Sequence, residues 1–148
     1  MTDLSQLSGL EQLSALSESG KTIAPIAAHF NMTGMGFSHG DVVLEATPDA
    51  SHYNPIGTVH GGFAATLLDS ACGTAVHTTL RPGEAYTSLE IKVNFLRTIT
   101  ESTGTVRVHG WVTKTGSRAA FAEADLRDAE GKVLATASST CAVFPARG

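Results

Sequence analysis

Basic charge is scarce in this sequence. Ten Lys and Arg stand against fourteen Asp and Glu, for a formal net charge of -4, and the cations are scattered along the chain. Nucleic-acid binders normally present a basic face, so the balance argues against that class, although a local anion site is still allowed. Cysteine is rarer still: Cys72 and Cys141 are the two in the chain, each set among small and apolar residues. They read as buried free thiols in a reducing compartment, not as a disulfide framework. No Cys or His spacing matches a zinc site. The opening Met1-Thr-Asp-Leu-Ser-Gln-Leu has neither a basic n-region nor a long apolar run, so no signal peptide is read there. The apolar stretch after Gly57 is interrupted by His60, Asp69 and His77, which makes it a poor membrane span. The expectation is a cytoplasmic protein that binds neither nucleic acid nor membrane.

What is present suffices for one domain with a real core. The 148 residues are 42% hydrophobic and 16% charged, a balance that disfavours disorder. Leu4, Leu7, Leu10, Leu13 and Leu16 recur at intervals of three, which predicts an amphipathic helix over 3–18, with Gly20 as its stop. The runs 29–35 and 41–47 read as a hairpin around Gly36-Phe-Ser-His-Gly40. Residues 48–57 are a loop, and a long helix runs from about His60 to His77 or Thr79. The period then changes to two. Leu89, Ile91, Val93 and Phe95 alternate with Ser88, Glu90, Lys92 and Asn94, and further strands follow over 105–115, 120–127 and 132–144. Short turns between these four strands predict an antiparallel meander. The long helix must bury itself against that sheet.

Within that helix Asp69 is the outlier. Its neighbours are uncharged and the segment reads as buried, where a carboxylate is costly unless it has partners. Gly61 and Gly62 fall at the helix start, where backbone N–H groups lack intrahelical acceptors and carry the positive end of the dipole. Glycine lets a ligand come close to that backbone, so the step suits an oxyanion or a polarised carbonyl. His77, near the other end, is expected to meet the negative end of the dipole. Cys72 has no base near it in sequence and reads as packing.

The run Asn54-x5-His60-Gly61-Gly62-x6-Asp69 resembles the hotdog-fold acyl-CoA thioesterases. So do Ser88-Leu-Glu-Ile-Lys-Val-Asn-Phe-Leu-Arg97 and the turn Lys114-Thr-Gly-Ser-Arg118. The similarity is to the phenylacetate-degradation type and the related 4-hydroxybenzoyl-CoA thioesterases, and it covers roughly residues 28–145. It implies an α+β fold with an antiparallel sheet wrapped around one long central helix. Residues 21–148 would form that single domain, and 1–20 a helical extension. It implies hydrolysis of an acyl-CoA, aryl or arylalkyl by family resemblance alone, with no metal or other cofactor. It implies roles as well. Gly61 N–H would polarise the thioester carbonyl, with Gly62 beside it, and Asn54 would hold the carbonyl or a water. Asp69 would be nucleophile or general base. Ser88, or Thr87 in competing register, would position water. Arg97, Ser117 and Arg118 would contact coenzyme A. His60 reads as a structural residue whose ring fixes the Asn54 loop more than as a proton-transfer base. The hydroxybenzoyl enzymes often have Glu in mid-helix and a hydroxyl one turn later; here Asp69 is followed by Gly73. The family also implies dimers paired into tetramers.

Geometry gives an independent argument for the dimer. Gly61 and Asp69 lie about 12 Å apart along one helix axis, too far for one reacting carbon to touch both. If both act on one thioester, they come from different subunits related by a two-fold axis. Alternative readings are a hotdog hydratase or dehydratase, and a module that binds acyl-CoA without turning it over. Phe37, Tyr53, Phe63 and Leu67 are candidates to line an acyl pocket.

Overall fold

The computed structural model describes residues 3–20 and 24–147. Six antiparallel strands form one sheet: β1 (Met32–Ser38), β2 (Asp41–Ala46), β3 (Glu84–Phe95), β4 (Val106–Thr115), β5 (Ala119–Arg127) and β6 (Val133–Pro145). Among the described residues three α-helices accompany them: α1 (Gly9–Glu18), the single turn α2 (Ile26–His29), and α3 (Gly61–His77). The sheet packs around α3, as the family resemblance implies. No helix among the described residues is long and apolar enough to cross a membrane.

The strand order is β1-β2-β4-β5-β6-β3, which corrects the expected four-strand meander. Only β4, β5 and β6 are joined in that way. β3 pairs with β6 along its whole length, from Glu84 opposite Pro145 to Phe95 opposite Ala135, and so lies at the sheet edge. The chain then crosses back to the sheet centre. Leu96 and Arg97 both donate their N–H to the Leu134 carbonyl, Ile99 is buried, and a 3-10 turn at Glu101–Thr103 completes the crossing. This connection is too long for a hairpin turn and is anchored by its own buried side chain, so it behaves as a crossover.

The single N-terminal helix is also corrected. Asp3 caps a 3-10 turn at Leu4–Gln6, and Ser8 then starts α1 with a capping box to Glu11. The Ser-Gly-Leu-Glu step is a stronger start signal than the Leu spacing is a reason to continue. Similarly, residues expected to be extended from His29 instead close α2, and β1 starts at Met32.

The face of α3 that meets the sheet carries Phe63, Ala64, Leu67, Leu68, Ala71, Cys72, Ala75 and Val76, all buried. Small residues on the strands let the helix sit low. A Cβ at Gly110 of β4 would fall 2.6 Å from the Ala71 backbone, and β5 presents Ala120, Ala122 and Ala124 inward. Phe63 and Leu67 therefore belong to the core. Burial of this face follows from its apolar composition at helical spacing.

α1 docks on the far end of α3. Gly9 N–H donates to Leu80 O at 2.9 Å, and a Cβ at Gly9 would lie 1.7 Å from His77 O. His77 Nε2 meets Gln12 Oε1 at 3.0 Å, and burial holds the imidazole below its ordinary 6.5. The ring is thus kept neutral and donates to Gln12, in place of the expected charge–dipole contact. Below pH 6.5 the unfolded chain takes up a proton that folded His77 resists, so stability falls as the pH drops through this window. Denaturation midpoints of wild type should rise relative to His77→Phe as pH approaches about 6.5, then level off. Parallel curves for the two proteins would refute this.

Candidate active site

Asp69 is not on the buried face of α3. It lies on the opposite stripe, half-buried, with Thr66, Ser70 and Thr74. Its Oδ1 accepts a hydrogen bond from Ser88 Oγ at 2.9 Å; Oδ2 has no partner among the described residues. The carboxylate is therefore fixed by one oxygen and open at the other. A cavity of about 460 Å³ lies before it, bounded by Ser70, Gly73, Thr74, Tyr86 and Ser88 on one side. Ile26, Ala27, Met32, Met35 and Leu44 supply an apolar wall on the other.

Strict alternation along β3 would have turned Ser88 away from the helix, together with Glu90 and Lys92. A β-bulge between Ser88 and Glu90 resets the phase, with Leu89 as the extra residue. Ser88 and Tyr86 consequently share the helix-facing side with Ile91 and Val93, which pack on the core. Thr87 pairs with Ala142 on the ladder and takes the other face, so Ser88 is the residue of the two that reaches the acid.

The start of α3 is equally specific. His60 is the N-cap: its Nδ1 accepts from Gly62 N–H at 2.7 Å, and its carbonyl accepts from Phe63 N–H at 2.9 Å. The ring caps the helix and does not fix the Asn54 loop, which corrects the expectation for His60. A Cβ on Gly62 would sit 2.8 Å from that Nδ1, so glycine at 62 is what allows the cap. Gly62 and Phe63 are engaged, whereas the Gly61 N–H has no acceptor among the described residues. Gly61 lines a second cavity of about 300 Å³ together with Thr58, His60, Phe95, Arg97 and Thr98.

Asn54 closes its own loop. Oδ1 accepts from Ile56 N–H at 3.0 Å and from Thr58 N–H at 3.3 Å, and Nδ2 donates to Thr58 Oγ1 at 2.9 Å. An amide nitrogen carries two hydrogens, so one N–H remains for a ligand.

Comparison with known proteins separates the possible families. Residues 56–135 match the family model described as the thioesterase superfamily, a span that holds Gly61, Asp69 and Ser88. The chain belongs to the thioesterase superfamily. Human acyl-coenzyme A thioesterase 13 is 32% identical over 102 residues, covering 68% of this chain and 71% of that protein. Two solved structures share the hotdog fold. A phenylacetic acid degradation-related protein of Ralstonia eutropha JMP134 superposes with TM-score 0.76 at 23% identity, covering 86% of this chain and 97% of that one. A Streptococcus mutans protein bound to acetyl CoA gives 0.70 at 22% identity, covering 86% and 95%.

In this thioesterase the residues expected to act together border separate cavities on one chain, one around Gly61 and Arg97 and one around Asp69 and Ser88. The three residues grouped as coenzyme A contacts are also split. Arg97 stands at the start of α3, whereas Ser117 lines a different cavity with Thr79, Leu80 and Arg81, just past the helix end. Arg118 adjoins Ser117, with its carbonyl accepting from Val143 N–H. Cys72 is fully buried, and burial, reinforced by Cys141 and Asp69, pushes its thiol up to about 12. Such a thiol is no nucleophile at neutral pH.

The cavity wall is not legible in local sequence. None of Phe37, Tyr53, Phe63 and Leu67 borders the Asp69 cavity; Ile26, Ala27, Met32 and Met35 do. Their approach to Asp69 is a long-range contact that no local spacing encodes. Tyr53 instead accepts a hydrogen bond from Glu101 N–H at 2.9 Å through its hydroxyl.

Proposed function

We propose that this thioesterase hydrolyses an acyl-CoA to a free acid and coenzyme A, with Asp69 as the reacting carboxylate. The observation that carries this reading is the Asp69 carboxylate, anchored by Ser88 and open on a largely apolar cavity. An apolar wall with a few polar groups suits an acyl tail and a thioester. The human relative named as an acyl-CoA thioesterase and the fold neighbour holding acetyl CoA support the class of substrate. The wide cavity and its Met-lined wall suit an aryl or arylalkyl group, the preference that the resemblance suggests.

The thioester carbonyl would rest on the Gly61 N–H, at the positive end of α3, with the spare Asn54 amide hydrogen beside it. Asp69 then acts by one of two routes. It attacks the carbonyl carbon directly, the C–S bond breaks, the thiolate leaves and takes a proton, and water cleaves the mixed anhydride. Otherwise it removes a proton from a water that attacks in its place. Arg97 at one half-site and Ser117 and Arg118 near the other are placed to serve coenzyme A.

One chain cannot present Gly61 and Asp69 to the same carbon, so the working unit is a dimer with shared sites. β3 supports this. It is a twelve-residue strand with one open edge, and Leu89 and Phe95 on it are exposed. Long open edges invite a second strand. Two copies paired through β3 would set their α3 helices side by side in opposite directions. Pairing of dimers into a tetramer and a reducing cytoplasm, which the free thiols fit, complete the proposal.

The test is release of free thiol from a panel of aliphatic and aromatic acyl-CoAs. Turnover that is highest for arylalkyl substrates supports the full reading. A flat profile removes the aromatic preference, and binding without thiol release removes hydrolysis.

A further inference from the structure

Tyr86 has no part in the chemistry above, yet it borders the same cavity as Asp69. It stands two residues before Ser88 on the helix-facing side of β3 and reaches α3 one turn beyond the acid. A Cβ on Gly73 would lie 3.1 Å from Tyr86 Oη, so the missing side chain at 73 makes room for the phenol. The ring is braced from behind. His77 packs against it edge-on, with centroids 5.6 Å apart, and His77 is itself tied to Gln12 of α1. The position of the hydroxyl is therefore set by packing.

That hydroxyl is unused by the described residues. Among the described residues nothing hydrogen-bonds to Tyr86 Oη, and no buried side-chain oxygen or nitrogen lacks a partner, so the oxygen must border open space. Burial of the ring, with Cys141 and Asp69 nearby, pushes the phenol up to about 12, which leaves it a donor at neutral pH. A lone donor in a cavity walled by Ile26, Met32, Met35 and Leu44 loses its water when an apolar group enters. An acyl group that carries an acceptor would compensate. The phenol meets α3 at Gly73, one turn and about 6 Å of helix rise beyond Asp69.

We propose that Tyr86 is a specificity-determining residue: its phenol O–H donates to a hydroxyl or oxo oxygen on the acyl group, about 6 Å from the thioester end, and so favours oxygenated acyl-CoAs over their plain counterparts. This rests on the acyl-CoA reading above. The experiment compares phenylacetyl-CoA with 4-hydroxyphenylacetyl-CoA, and hexanoyl-CoA with 5-hydroxyhexanoyl-CoA, in wild type, Tyr86→Phe and Gly73→Ala. In wild type the hydroxylated member of at least one pair should have the higher kcat/KM. Tyr86→Phe keeps the ring and should lower that ratio about tenfold, chiefly through KM of the hydroxylated member. Gly73→Ala, which displaces the phenol, should lower it too. A wild-type ratio near one in both pairs, or a ratio that Tyr86→Phe leaves unchanged, overturns the proposal while thiol release continues. No thiol release from any of the four substrates removes the acyl-CoA reading and this inference with it.

Discussion

Asp69→Asn should lower kcat for thioester hydrolysis about a thousandfold with little change in KM, within the range expected when a positioned carboxylate is lost. The substitution is close to isosteric. Asn can still accept from Ser88 Oγ, and position 69 lies outside the buried face of α3, so the fold should persist. Only the negative charge and one carboxylate oxygen disappear. Circular dichroism and thermal melting of the variant should match wild type, and initial rates of thiol release then measure the chemistry alone. Near-wild-type turnover by a folded variant would show that the cavity works without its acid, and Asp69 would be a structural carboxylate.

Gly61→Val should cost about a hundredfold in kcat/KM, comparable to the loss of one oxyanion donor. A Cβ at 61 would lie 3.1 Å from the Phe95 ring, and the branch would crowd the N–H that a carbonyl must reach. Phe95 is exposed and can yield, so the helix start should survive. The larger result comes from mixing. If sites are shared, a heterodimer of Asp69→Asn and Gly61→Val holds one site with both parts intact. Random pairing then restores about a quarter of wild-type activity from two nearly inactive proteins. Denaturing, mixing and refolding the pair, or expressing them together, reads this directly. No recovery, with dimers shown to exchange, would mean that each chain carries a complete site.

Much of this could be read in the sequence because it is local. The cap, the two glycines and the acid lie within ten residues, and the helix that carries them is encoded by its own composition and spacing. The alternating strands were equally plain, and the Gly61-to-Asp69 separation follows from helical rise alone. Local capping outweighs the wider periodicity at two places. Ser8 and Glu11 cut the N-terminal helix in two, and the Nδ1 of His60 claims the Gly62 N–H.

The sequence by itself determined most of the elements, the family and the order of the candidate groups along the helix. Tertiary structure decided which groups meet. It moved β3 to the sheet edge beside β6, and it turned Ser88 onto Asp69 through a one-residue bulge at Leu89. It also brought Ile26 and Met32 over the acid and seated the phenol of Tyr86 in the space left at Gly73. The reason is the range of the forces. Periodicity and capping act over a few residues and leave a mark in the sequence, whereas strand pairing and cavity walls depend on how separate segments fill space together.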